Sequence, residues 1–200
     1  MLHETTATGL AWTFDLLVRH PAVLERLVAE ADADADADEQ AYARAVVSES
    51  LRLRPVVPLA GRRLAAPLRV DGRELPAGTD VTPAIWLAHT HADRYPEPLA
   101  FRPERFLDGA PSGFAWVPFG GGVRRCIGAA FAEMEMRVAL AKILRHRTLR
   151  AASGSAEHVA RRNVTFSLAG GTRVIAAARR PATAAGYEVA TASGAERLSA

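Results

Sequence analysis

The sequence predicts an α+β protein, mainly α with small β-sheets. Three observations carry that prediction. Stretches before residue 55 and again from residue 127 repeat apolar residues at helical spacing. The β-type runs are short and confined to residues 56–88 and 161–176. Strands and helices do not alternate as a parallel βαβ sheet requires. Two hundred residues, 49% hydrophobic and 24% charged, are enough for one domain with its own core, and no internal repeat interrupts it.

Each element follows in order. MLHETTATGLAWTFDLLVRHP sets Leu10, Phe14, Leu17 and Val18 at helical spacing and stops before Pro21. PAVLERLVAEA is a second, short helix. ADADADAD, from Ala31 to Asp38, reads as a solvated acidic linker. QAYARAVVSESLRLRP is a helix closed by Pro55. VVPLAGRRL, PLRVDGRELPAGTDV and PAIWLA read as short strands, with Asp71-Gly72 as a hairpin turn. Residues 89–119, rich in proline and aromatics, form a long coil that specific contacts must pin. A helix runs from about Ile127 to His146, with Phe131, Met134, Val138 and Ala141 on one face. RRNVTFSLAGGTRVIA reads as a terminal hairpin turning at Ala169-Gly170-Gly171, and residues 182–200 as a disordered tail.

Net charge is +3, and Lys142 is the single lysine among 25 cationic residues. No basic stretch is interleaved with exposed aromatics, which argues against a nucleic-acid partner. An acidic protein partner suits the excess better. The sequence has no apolar run of membrane-spanning length and no leader-like start, and its one cysteine rules out an internal disulfide. The expectation is a cytoplasmic chain without a membrane segment.

That cysteine lies in FGGGVRRCIG, Phe119 to Gly128. A lone cysteine is commonly a small buried hydrophobe. The glycines alternatively suggest a phosphate cradle, but GxxxxGK[ST] is absent and Arg125 breaks GxGxxG. As a cradle for a larger group the residues have matching chemistry. Glycine permits close backbone approach and positive φ, and Gly128 keeps the following turn small. A thiolate at Cys126 gains from a helix N-terminus and from Arg124 and Arg125 beside it. Either arginine can pair with ligand carboxylates, while Phe119 offers a ring face. A planar, carboxylated ligand with an exposed metal, such as haem, suits this set.

FGGGVRRCIG resembles the haem loop of the cytochromes P450, FGxGx(R/H)xCxG, at every specified position. The resemblance implies that Cys126 is the axial iron ligand and that Phe119, Gly120, Gly122, Arg124 and Gly128 border the haem. Arg62, in VVPLAGRR, resembles an arginine that binds a haem propionate. Two further motifs stand upstream in the family's order. Glu49-Ser50-Leu51-Arg52 resembles its ExxR helix; at i and i+3 the two charges share a face. FRPERF, Phe101 to Phe106, resembles its meander, which implies a structural Glu49–Arg52–Arg105 network. HTHADRYPEPLA before it carries Tyr95 where an aromatic is common.

HETT is not a zinc motif, because Ala7 replaces the second histidine of HExxH. It resembles the family's (A/G)Gx(D/E)T(T/S) distal-helix segment, making Glu4 and Thr5 an acid–alcohol pair that relays protons. Met1 and Leu2 depart from the small-residue pair. Val57, Leu59 and Val164 fall where family members direct apolar side chains at substrate, although a core role suits each equally.

The resemblance spans residues 1–181 and corresponds to the C-terminal part of a bacterial-type family member, so the chain reads as truncated. It implies a haem-dependent monooxygenase that inserts one oxygen atom from dioxygen into a small apolar organic substrate. Electrons would come from NAD(P)H through a ferredoxin or flavoprotein reductase. The alternative is a non-catalytic remnant that binds haem weakly or needs a second chain.

Overall fold

A computed structural model describes residues 2–33, 40–109, 111 and 113–179. Most of the acidic tract and the whole of residues 182–200 lie outside the described residues. Five α-helices and four two-stranded antiparallel sheets make up the described fold, as the α+β reading expects.

Helix α1 (Leu2–Arg19) leads through His20 into α2 (Pro21–Asp32). Pro21 occupies the first helical position, where its missing N–H costs nothing. Helix α3 (Ala41–Leu53) is the centre of the molecule, with every side chain from Ala45 to Leu53 buried. Its orphan amides at Tyr42 and Ala43 donate to the two Glu30 carboxylate oxygens of α2, at 2.7 and 2.8 Å. The core joins Leu16 and Leu17 of α1, Leu27 of α2, Val46, Val47 and Leu51 of α3, and three residues of the last helix, α5 (Ala129–His146).

Those three are Met136, Leu140 and Leu144, and they correct the expected face of α5. Phe131, Met134 and Val138 share a face, but it is the exposed one. The helix is apolar on two sides, and only packing decides which side meets α3.

After α3 the chain forms β1 (Arg62–Arg63), β2 (Leu68–Val70), β3 (Arg73–Leu75) and β4 (Asp80–Val81). Strands β2 and β3 pair around Asp71-Gly72, both at positive φ, the backbone a tight two-residue hairpin needs. Strand β1 pairs with β4. PAIWLA is not a strand. Ala84 bridges to Leu59, and the chain then coils into the short helix α4 (Ile85–His89), burying Ile85 and His89 four residues apart on one side. The long coil after α4 holds 3-10 turns at Pro103–Phe106 and Gly113–Ala115.

The C-terminal strands also differ from expectation. Strand β5 (Arg147–Ala151) follows α5 directly and pairs with β8 (Val174–Ala178), while β6 (Val159–Arg162) pairs with β7 (Thr165–Leu168). The hairpin therefore turns at Asn163-Val164, where Asn163 adopts φ 54°, a left-handed value asparagine tolerates. Gly170-Gly171 instead belongs to the link that carries the chain from one ribbon to the other. Past β8, Arg179 donates to Asp32 at the end of α2 at 2.8 Å, tying this ribbon to the helical core.

Candidate functional site

The site is assembled from α1, the segment after α3, the β6–β7 turn, the loop before α5 and the first turns of α5 itself. These surround a cavity of about 720 Å³. That is a size typical of cofactor pockets. Thr5, Thr6 and Gly9 of α1 line it, with Val57, Leu59 and Arg62 beyond α3, Val164 at the hairpin turn, and Phe119, Gly120, Arg124, Cys126 and Gly128 of the loop.

The loop owes its shape to its glycines. Gly120 and Gly122 sit at φ 72° and 62°, and a Cβ at either would meet nothing within 4 Å. Backbone conformation, not crowding, therefore requires glycine there. Gly121 is extended, with no such demand. The Cys126 amide donates to the Phe119 carbonyl at 2.9 Å, closing the loop, and the Cys126 side chain is exposed. Helix α5 begins at Ala129 with Gly128 as its cap, so Cys126 stands just outside the helix and not within its first turn.

Below the loop lies the ion-pair network. Glu49 and Arg52 are fully buried, and the guanidinium grips the carboxylate at 2.6 and 2.8 Å. Arg105 reaches the same carboxylate at 3.4 Å, and the Arg102 amide donates to it at 2.9 Å. Arg52 uses its remaining N–H groups on the carbonyls of His89, Pro98 and Ala100, at 2.7, 2.7 and 3.2 Å. All five donors of the guanidinium are thereby engaged, and the end of α4 and the coil around Pro98 and Ala100 are nailed to α3. Its face also lies 4.8 Å from the Tyr95 ring centroid, and the Tyr95 hydroxyl donates to Ala115 at 2.9 Å. Trp116 adds a bond to Ser48 of α3 and an edge-on contact with Phe119.

Sequence-predicted residues thus gather in two groups. Cys126, Phe119, Gly120, Arg124, Gly128, Arg62, Thr5, Val57, Leu59 and Val164 share the cavity; Glu49, Arg52 and Arg105 share the network. Gly122 shapes the loop without lining the cavity, and Glu4 is exposed on α1 outside the lining. The Met1 and Leu2 side chains lie outside the described residues. Thr6, which is buried and lines the cavity, and His89, which is fully buried in the network, escaped the sequence reading. The neighbouring threonine of HETT was a signal for the first; nothing local marks the second.

A family model for cytochrome P450 matches residues 3–169. The chain belongs to the cytochrome P450 family. It is 44% identical over 172 residues to a Mycobacterium tuberculosis protein provisionally named cytochrome P450 137, covering 86% of this chain and 35% of that one. To a Mycobacterium bovis protein provisionally named cytochrome P450 135B1 it is 45% identical over 194 residues, covering 96% of this chain and 41% of the relative. Among solved structures, the cytochrome P450DA haem domain superposes with a TM-score of 0.79 at 28% identity, over 90% of this chain and 42% of that one. A triple mutant of the same domain gives 0.81, over 90% of this chain and 41% of that one. The chain therefore spans about two fifths of the length of the P450 proteins it matches. P450 membership implies a haem cofactor, and the cavity's thiol, cations and glycine-turned wall have the chemistry to hold one. No helix among the described residues is long and apolar enough to cross a membrane.

Proposed function

We propose that this chain forms the thiolate side of a haem-dependent monooxygenase that inserts one oxygen atom from dioxygen into a small apolar organic substrate. Its electrons come from NAD(P)H through a ferredoxin or flavoprotein reductase. The observation that carries this reading is the convergence of Cys126, two arginines and an apolar wall on one cavity. When bound, the haem supplies the family's dioxygen chemistry. Cys126 is the residue that would hold its iron, with the thiolate donating electron density. Arg62 and Arg124, both lining the cavity, offer cations to the propionates. Val57, Leu59 and Val164 give substrate an apolar surface. Thr5 lines the cavity from α1, and Glu4 beside it is exposed. By resemblance to the family's distal-helix segment, the pair would relay a proton, with Glu4 as the acid and Thr5 as the alcohol.

Haem titration of the chain, followed by absorbance, tests the reading. Saturation at one haem per chain, with the ferric spectrum of thiolate ligation lost in Cys126→Ala, is the expected result. Binding that ignores this substitution would overturn it.

A second reading is a non-catalytic piece that retains haem poorly or only beside a second chain. The exposure of Met134 and Val138 on one side of α5 favours it, because apolar surface of that kind ordinarily meets a partner. In the same titration this reading expects no saturation until the second polypeptide is supplied.

A further inference from the structure

Among the buried titratable groups outside the residues assigned so far, His89 lies nearest the route to the cysteine loop. His89, the last residue of α4, is completely buried between α3 and the coil that leads to the cysteine loop. The Val117 amide donates to its Nε2 at 2.8 Å, and its Nδ1 lies 3.1 Å from the Arg52 carbonyl oxygen. A backbone amide can only donate, so Nε2 must be the bare nitrogen, and the ring proton sits on Nδ1, pointing at Arg52. The imidazole is thus a fixed bridge between the end of α3 and Val117.

From Val117 the bonding continues to the cysteine. The Val117 carbonyl accepts from the Gly120 amide at 2.9 Å, and the Phe119 carbonyl accepts from the Cys126 amide at 2.9 Å. The His89 carbonyl meanwhile accepts from Arg52, so both ends of this residue are secured to the same side chain's helix. Arg105 and Glu49 pin the meander, well before the loop; His89 reaches Val117, two residues ahead of Phe119, next to the Trp116 bond to Ser48.

We propose that His89 is a positioning residue: as its neutral Nδ1–H tautomer it couples the buried Glu49–Arg52 pair to the cysteine loop, setting where the Cys126 thiol is presented. Its influence on haem ligation rests on the P450 reading above; the coupling of His89 to Val117 does not.

Two isosteric variants separate the halves of the bridge. In His89→Gln the side-chain oxygen takes the place of Nε2 and can still accept from Val117. In His89→Asn the amide nitrogen takes the place of Nδ1 and can still donate to Arg52, but nothing accepts from Val117. Hydrogen exchange at the Val117 amide should stay near wild type in the glutamine variant and speed up by roughly tenfold or more in the asparagine variant. In haem-loaded protein, the asparagine variant should lose the thiolate-type spectrum with the glutamine variant retaining it. Nitrogen-15 NMR of the wild-type ring at neutral pH gives a check that needs no variant: Nδ1 protonated, Nε2 bare. A proton on Nε2, or Val117 exchange that is unchanged in both variants or equally fast in both, would overturn the proposal. If wild-type haem never shows thiolate ligation while Val117 responds as described, the haem-thiolate function proposed above fails and the bridge stands.

Discussion

The buried carboxylate of Glu49 shows how much one residue can hold. It accepts from Arg52 twice, from Arg105 and from the Arg102 amide, all without solvent. A buried pair of this kind gains little over an apolar replacement, but losing one member strands the other charge. Glu49→Gln is expected to lower stability by about 3–5 kcal/mol, read from the urea midpoint. His89 adds a pH dependence. Burial, reinforced by the Arg52 charge, pushes its pKa down to about 4, against the pull of its bond to the Arg52 carbonyl. The other ionisable groups in the network are Glu49, engaged by Arg52 and Arg105, Arg105 itself, and Tyr95, whose ring Arg52 covers. An unfolded chain takes up the histidine proton near pH 6.5 and the folded chain only near pH 4, so this contribution is intact above 6.5 and is lost as pH falls towards 4. The loss is roughly 3 kcal/mol over that window, and His89→Gln should remove it from the stability–pH curve. The Glu49–Arg52 pairing was legible because i and i+3 share a helix face. His89 was not, because nothing near it in HTHADR distinguishes it from the exposed His91; the fold makes that distinction.

Elements were legible where a local rule decides them. The Asp71-Gly72 hairpin and the stop of α2's predecessor at Pro21 follow from turn and helix chemistry. The loop glycines are similar. Gly120 and Gly122 need left-handed backbone, whereas Gly121 does not, which accounts for the unspecified position between them in the haem-loop pattern. Gly122→Ala is expected to cost about 1–2 kcal/mol. Gly121→Ala should cost less than about 0.5 kcal/mol, since its Cβ meets only the ring of exposed Phe114, which can shift. Thermal unfolding of the two variants distinguishes them. Where tertiary packing decides, the sequence misled. Helix α5 offers two apolar faces, and only contact with α3 buries Met136, Leu140 and Leu144. Leu140→Ala should therefore cost about 2–5 kcal/mol in denaturant, and Val138→Ala almost nothing. PAIWLA likewise has the composition of a strand, yet the Ile85 and Trp86 amides both donate to the Pro58 carbonyl, where the extended run ends and α4 takes over.

At the scale of the whole molecule, fold class was readable from the order and lengths of the periodic segments. The long-range joins were not. The pairing of β5 with β8 and the clasp of Arg179 on Asp32 unite segments that carry no mutual signal in the chain. The same holds for the cavity, whose walls come from α1, the post-α3 segment, the β6–β7 turn, the cysteine loop and α5. Only the likeness of separate motifs to one family brought them together before the structure did. The central claim is that these walls deliver Cys126 to iron as a thiolate. Reducing the haem-loaded chain under carbon monoxide and recording the difference spectrum tests it most directly. The account predicts the red-shifted Soret band of thiolate ligation, absent in Cys126→Ala; a wild-type band at the position given by a histidine or neutral-thiol ligand would contradict it.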